Sequence, residues 1–162
     1  MTLGFTLNHE KVTIQTASDT RLIDLLRERF SLIGAKSGCL TGGCGACSVI
    51  FNRTVAKSCL IPAFRVQNST VITLEGFAKT DDYKDIIQGF AAAGVLTCGY
   101  CDSGKILTME VILAKKPRPS SRTDILAELR GIRCRCTEPE SLVAAVLAIA
   151  DIRQRRLYGR RA

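Results

Sequence analysis

The 162-residue sequence predicts an α+β chain, with strands and one short helix in residues 1–76 and helices alone in residues 77–162. Three observations predict it. Apolar and polar residues alternate with period two at both ends of the first part, as in half-buried strands. After Gly76 the apolar residues recur at helical spacing instead. Eight cysteines fall into two groups of four, one group in each part.

Residues 3–8 and 11–15 alternate around Asn8-His9-Glu10 and predict a β-hairpin. Asp19 or Thr20 is placed to cap a short helix whose Leu22, Ile23, Leu25, Leu26 and Phe30 share one face. A glycine-rich loop follows at 37–47. Val49-Ile50-Phe51, the Asn52-Arg53 turn and Val55 predict a second hairpin, and Val71-Ile72-Thr73 a closing strand. Strand, helix, strand and closing strand fit a β-grasp arrangement. In the second part, 82–93, 104–115, 122–131 and 139–152 predict helices, the second and third separated by Lys116-Pro117-Arg118-Pro119. Thr137-Glu138-Pro139-Glu140 has the form of a capping box, with Thr137 as N-cap, Pro139 in the first turn and Glu140 at the third helical position. The boundary between the parts is expected at 76–81.

The first cysteine group, Cys39, Cys44, Cys47 and Cys59, has the spacing C-x4-C-x2-C followed by a fourth cysteine. That is the plant-type arrangement in which four thiolates hold a 2Fe–2S cluster. Such a cluster is anionic, and reduction adds a further negative charge. A loop rich in glycine can bend through unusual φ/ψ and aim backbone N–H groups at the sulfurs. The second group, Cys98-Gly99-Tyr100-Cys101 and Cys134-Arg135-Cys136, pairs C-x2-C with C-x-C. By spacing alone four sulfurs in two such pairs suit a tetrahedral zinc site or an iron–sulfur site, although zinc frameworks usually repeat C-x2-C. The neighbouring first group favours iron–sulfur, since two adjacent four-thiolate sites make a path for electrons. Both cysteine pairs of this group adjoin expected helix starts, where orphan N–H groups favour negative charge.

Composition narrows the classes. With 46% hydrophobic and 23% charged residues the chain reads as an ordinary globular protein. It has no 18-residue apolar run and no signal-peptide pattern. Eight cysteines at metal spacing then predict free thiols in a reducing, cytoplasmic setting in preference to disulfides. The net charge of +8 is concentrated at the C-terminus, where Arg153, Arg155, Arg156, Arg160 and Arg161 occur without an acid. No aromatic platform accompanies them, so no nucleic acid partner is expected; the basic tail suits an acidic protein surface. His9, the one histidine, lies in a turn, and a histidine-ligated cluster needs two. No G-x-G-x-x-G or P-loop pattern opens a helix.

From about Phe5 to about Ala150 the sequence resembles the small iron–sulfur subunit of the molybdenum hydroxylases, the family of xanthine oxidase, carbon monoxide dehydrogenase and aldehyde oxidoreductase. The resemblance rests on all eight cysteines in order and on Leu22-Ile23-Asp24-Leu25-Leu26-Arg27-Glu28, Gly43-Cys44-Gly45-Ala46-Cys47-Ser48-Val49, Thr73-Leu74-Glu75-Gly76, Cys98-Gly99-Tyr100-Cys101 and Cys134-Arg135-Cys136-Thr137. It implies an N-terminal β-grasp ferredoxin-like domain and a C-terminal four-helix bundle, each with one 2Fe–2S cluster. It also implies a large partner subunit carrying a molybdenum–pterin centre, and in some assemblies a flavin (FAD) subunit. Electrons would pass from the second cysteine group to the first while a small heterocyclic or aldehyde-type substrate is hydroxylated. A free-standing ferredoxin-like carrier, a zinc-stapled interaction domain and a family member working in the reductive direction are the alternatives.

The chain departs from the family pattern in places. Thr97 stands where the family has a glutamine that contacts the pterin, and is too short to supply the same amide. Asp102-Ser103-Gly104 replaces the usual Thr-Pro-Gly, with Asp102 expected to cap the following helix. Gly131-Ile132-Arg133 replaces Gly-Asn-Leu, and Glu138-Pro139 replaces Gly-Tyr. Tyr100 and Arg135, inside the second group, are expected to shield that site.

Overall fold

The computed structural model describes residues 1–119 and 121–159. Strands β1 (Thr2–Leu7) and β2 (Glu10–Gln15) pair antiparallel, with Leu7 opposite Glu10. Only Asn8 and His9 lie between them, both at positive φ (49° and 74°). Two left-handed residues match the twist of a tight hairpin, and asparagine tolerates that conformation well. His9 is exposed, as a turn residue should be.

The first helix is shorter and less regular than its apolar face suggests. It comprises α1 (Leu22–Asp24) and a wider π-type turn over Leu25–Arg29. Neither Asp19 nor Thr20 caps it. Arg21 occupies the N-cap without a side-chain bond, and the Thr20 hydroxyl accepts from that of Thr16. The Leu22 N–H instead donates to the carbonyl of Ile61 at 2.7 Å, so tertiary contact takes the place of the cap.

Strands β3 (Ser48–Phe51) and β4 (Thr54–Lys57) form the second expected hairpin around Asn52 and Arg53, again both at positive φ. β5 (Thr70–Ile72) runs parallel to β1 and antiparallel to β3, giving a sheet of order β2-β1-β5-β3-β4. It ends one residue earlier than expected. Thr73 is held by Asn8, whose Oδ1 accepts from the Thr73 N–H at 2.9 Å and whose Nδ2 donates to its hydroxyl.

A one-turn helix, α2 (Leu74–Phe77), was not expected. Then come α3 (Asp81–Ala92), α4 (Asp102–Lys115), α5 (Arg122–Leu129) and α6 (Pro139–Tyr158). Thr80 and Ser121 cap α3 and α5 through their hydroxyls. The capping box at α6 does not form. Glu138 stands at the N-cap, the Thr137 hydroxyl accepts from the Leu96 N–H, and Glu140 is engaged by Arg122. Pro139 does open the helix. α6 also runs six residues past its expected end, because Arg153 and Arg156 meet Asp82 and Asp85 on α3, and Arg153 also meets Glu110 on α4. These two arginines serve the fold, which corrects the picture of a free basic tail; Arg160 and Arg161 lie outside the described residues.

Burial divides between two large clusters and a small one of Ile23, Cys47 and Cys59. Of the large ones, the first holds Leu3, Phe5, Leu7, Leu22, Leu26, Val49 and Val71; the second holds Ile86, Phe90, Leu107, Met109, Val146 and Ile149, together with Ile50 and Phe77. Alternation along β3 sends Val49 into the first and Ile50 into the second. One strand thus joins the sheet's core to the helices, and α4 packs on it. The fold is α+β, and β3 leads directly out of the first cysteine loop.

Candidate metal centres

Register brings the first four cysteines together. Cys47 precedes β3 and Cys59 follows β4 in a short 3-10 turn, and Ser48 pairs with Lys57 across the hairpin. The Ser58 N–H and hydroxyl both donate to the carbonyl of Cys47, at 3.2 and 2.7 Å. The two thiols, both buried, lie within hydrogen-bond reach of each other. Cys39 and Cys44 occupy the outer side of the loop. The N–H groups of Thr41 and Cys44 point at the Cys39 sulfur at 3.4 Å, and that of Ala46 at the Cys44 sulfur at 3.5 Å. This is the aiming of backbone donors at sulfur expected of the loop.

The thiols respond to these surroundings. Donation from the Thr41 hydroxyl and from backbone N–H groups draws the Cys39 thiol down to about 6. Burial, with the hydrogen bond to Cys47, pushes Cys59 up to about 11. Lys57, at the end of β4, donates to the Ser48 hydroxyl (3.0 Å) and the Gly131 carbonyl (2.8 Å). Burial pushes its ammonium below the usual lysine range, while Cys47, Cys44, Cys59 and Cys39 all favour its charged form. No pattern in the sequence marks this lysine, because its partners come from a strand and from a loop 74 residues away.

The second four meet at two helix starts. Cys101 is the N-cap of α4, and Cys134 and Cys136 lead into α6. Cys101 lies against Cys134, and Cys98 against Cys136. Burial pushes Cys101 up to about 12, with the bond to Cys134 adding to it. At Cys134 burial acts upward too, but hydrogen bonds from the Cys136 backbone and from the Cys101 and Thr137 side chains outweigh it, and the thiol is lowered. The four cysteines, Tyr100, Arg133 and Arg135 line a cleft of about 330 Å³. Thr97 is exposed beside it, between exposed Leu96 and Cys98.

All eight cysteines are free thiols. Among the described residues no three ligand-type side chains close tightly on a single point; the sulfurs gather in facing pairs instead. A 2Fe–2S cluster takes four thiolates, two for each iron, and this donor set fits that demand at both sites.

The two sites touch. The Arg133 N–H, next to Cys134, donates to the carbonyl of Cys44 at 3.0 Å, and the Ser103 hydroxyl donates to that of Ala46 at 2.7 Å. Tyr100 belongs to the second loop in sequence but leans on the first: a Cβ at Gly38 would lie 2.8 Å from its hydroxyl and 3.0 Å from the Cys44 sulfur. Asp102 does not cap α4. It is the first helical residue, and its Oδ2 accepts from the preceding Gly99 N–H at 2.9 Å.

Gly45 tests the junction. It has φ +81°, and a Cβ there would sit 2.5 Å from the Gly131 carbonyl oxygen. Gly45→Ala is expected to lower the thermal midpoint by several degrees, since the backbone strain alone costs about 1–2 kcal/mol. Gly43→Ala, two residues earlier, meets nothing within 4 Å and should leave the midpoint unchanged. Equal midpoints for the two variants would refute the close approach.

Residues 5–101 match the model of the 2Fe-2S iron-sulfur cluster binding domain, and residues 73–147 match that of the 2Fe-2S binding domain. The nicotinate dehydrogenase small FeS subunit of Eubacterium barkeri is 42% identical over 90% of this chain and 92% of its own length. The xanthine dehydrogenase iron-sulfur-binding subunit of Escherichia coli O157:H7 is 36% identical over 91% of this chain and 92% of its own. Among solved structures, quinoline 2-oxidoreductase from Pseudomonas putida 86 superposes with a TM-score of 0.85 at 30% identity, covering 95% of this chain and 96% of the matched one. Aldehyde oxidoreductase from Desulfovibrio gigas also reaches 0.85, at 28% identity, with 98% of this chain matching 18% of that much longer one. With eight paired thiols in one continuous fold and these likenesses along nearly its whole length, the chain belongs to the small 2Fe–2S subunits of the molybdenum hydroxylases, electron-transfer components of oxidoreductases.

Proposed function

We propose that Cys39, Cys44, Cys47 and Cys59 hold one 2Fe–2S cluster and Cys98, Cys101, Cys134 and Cys136 the other. The chain would then link a molybdenum–pterin centre in a large partner subunit to a flavin (FAD) subunit or an external acceptor. When bound, the clusters supply successive one-electron steps; the chain's own part is to hold, shield and space them. The observation that carries this reading is the direct contact of the two cysteine loops, from the Cys44 carbonyl to the Arg133 N–H beside Cys134. The second site lies toward the partner in this reading, since Leu96, Tyr100 and Thr97 are exposed around it. Thr97 faces the pterin there without the reach of a glutamine.

The finer architecture follows the same reading: residues 1–76 as a β-grasp ferredoxin-like domain, and 77–162 as a helical domain whose α3, α4, α5 and α6 form a four-helix bundle. Hydroxylation of a small heterocyclic or aldehyde-type substrate is the favoured reaction, the nicotinate, xanthine and quinoline enzymes among the relatives being the support. No described helix is long and apolar enough to cross a membrane, and the free thiols suit a cytoplasmic setting.

Native purification tests the reading. The chain is expected to carry about four irons and four acid-labile sulfides and to co-elute with a larger subunit containing molybdenum. Stoichiometric zinc without labile sulfide would overturn it. Full iron loading in a chain that elutes alone would favour a free-standing carrier.

A further inference from the structure

Lys105 lies in an apolar stretch of α4 and its side chain has 0% exposure. An ammonium is costly to bury unless its charge and donors are met. It donates to the carbonyl of Leu96, stands 3.0 Å from Asp102 Oδ1, and lies 5.9 Å from the centre of the Phe90 ring. Asp102 Oδ1 is itself buried without a hydrogen bond, so the lysine's charge is what holds it, while Oδ2 takes the Gly99 N–H. The Leu96 N–H continues the chain of contacts to the Thr137 hydroxyl at 3.3 Å. These partners flank the second cysteine group: Leu96 and Gly99 around Cys98, Asp102 after Cys101, Thr137 after Cys136.

We propose that the Asp102–Lys105 pair is a positioning and charge-setting device for the second metal site, clamping both cysteine loops around one buried ammonium and fixing the reduction potential of the cluster held there. The inference rests on the assignment of Cys98, Cys101, Cys134 and Cys136 as that cluster's ligands.

A neighbouring pair shows why helix stability alone does not explain it. Asp81 and Lys84 have the same i, i+3 spacing on α3, at 2.7 Å, but both are mostly exposed. Such a pair adds little to a helix and is screened by salt. Asp102–Lys105 is shielded from water, and its field reaches the sulfurs. Asp102 directly follows Cys101, and the backbone N–H of Lys105 donates to the Cys101 carbonyl at 3.1 Å, so both residues stand within one helical turn of a cysteine of the second group. Reduction adds negative charge to a cluster, so a fixed cation favours the reduced form and a fixed carboxylate opposes it. The two residues therefore pull the potential in opposite directions.

The test is a reductive titration followed by EPR on the full chain, purified with whatever subunits accompany it, together with iron and sulfide analysis. Asp102→Asn keeps an acceptor for the Gly99 N–H and removes the charge. It is expected to raise the midpoint of the second-site signal by a tenfold or greater change in the reduction equilibrium, which is 59 mV or more for one electron. Lys105→Met is expected to lower the same midpoint by at least as much, and the double variant to return toward the parent. The first-site midpoint is the internal reference and should stay in place. A merely structural role predicts shifts of one sign, or broadening without a shift, in both single variants; either result overturns the proposal, as does an unmoved midpoint. If Lys105→Met loses iron from the second site, Asp102→Asn decides alone. A parent that holds only one cluster overturns the ligand assignment itself, and this is distinguished by its iron content before any variant is made.

Discussion

Cys136→Ser is expected to abolish one of two reduced-state EPR signals and to remove about two of about four irons, while the other signal keeps its shape and amplitude. Cys136 is exposed and fills no core position, so the loss would come from ligation and not from unfolding. Its removal leaves Cys98 without its facing thiol, although Cys101 and Cys134 still meet. The first group stands on different elements, the 37–47 loop and the β3–β4 hairpin, whose backbone hydrogen bonds do not involve Cys136. Cys39→Ser should give the complementary result, removing the signal that Cys136→Ser retains. Loss of both signals in either variant would show that the two thiol groups do not form separate sites. Dithionite should still reduce the surviving cluster in each case, whereas substrate-driven reduction of the acceptor should fail in both, because each interrupts the same relay.

Much of this arrangement was legible in the sequence where the cause is local. The Asn8-His9 and Asn52-Arg53 turns, the strands beside them and the four later helices follow from residues within a few positions of one another. Cysteine spacing is local as well, and it located both thiol groups. What was not legible depends on partners far away in the chain. The Thr137 hydroxyl left its expected cap for an N–H 41 residues distant. Lys57 found its acceptor in the segment before Cys134, and Tyr100 came to rest against the opposite loop. Asp102 and Lys105 did carry a signal, a charge pair at helical spacing beside an apolar run, but only burial separates it from the ordinary surface pair at Asp81 and Lys84. The basic C-terminus shows the same limit. Composition reads five arginines as a tail for an acidic protein surface, and the fold places two of them against three acids of the chain itself, on α3 and α4.

Arg153→Met is accordingly expected to destabilise the helical half by about 3–5 kcal/mol, the usual result of breaking a buried ion pair by removing one partner. For a chain of this size that corresponds to a fall in thermal midpoint on the order of 10 °C. Arg153 is 10% exposed and reaches Glu110 at 2.8 Å, Asp82 at 3.3 Å and Asp85 at 3.5 Å, the last only 4% exposed. Methionine fills much of the same volume, so the loss would be one of charge, leaving Glu110 without its arginine and Asp85 with Arg156 alone. Burial already pushes the Glu110 carboxyl above its ordinary range, with Arg153 acting against that rise. A carboxyl raised in the folded state holds its proton more tightly than in the unfolded chain. Its contribution to stability is therefore full below the unfolded pKa and is lost as pH rises through the folded one. Removing Arg153 raises that carboxyl further, so the deficit of the variant should narrow as pH falls from 7 toward the carboxylate range. Glu110→Gln, which removes the acid and keeps its shape, should restore part of the lost midpoint when combined with Arg153→Met. A midpoint that is unchanged in Arg153→Met, or a deficit that grows on acidification, would show that α6 is not anchored to α3 and α4 through this arginine.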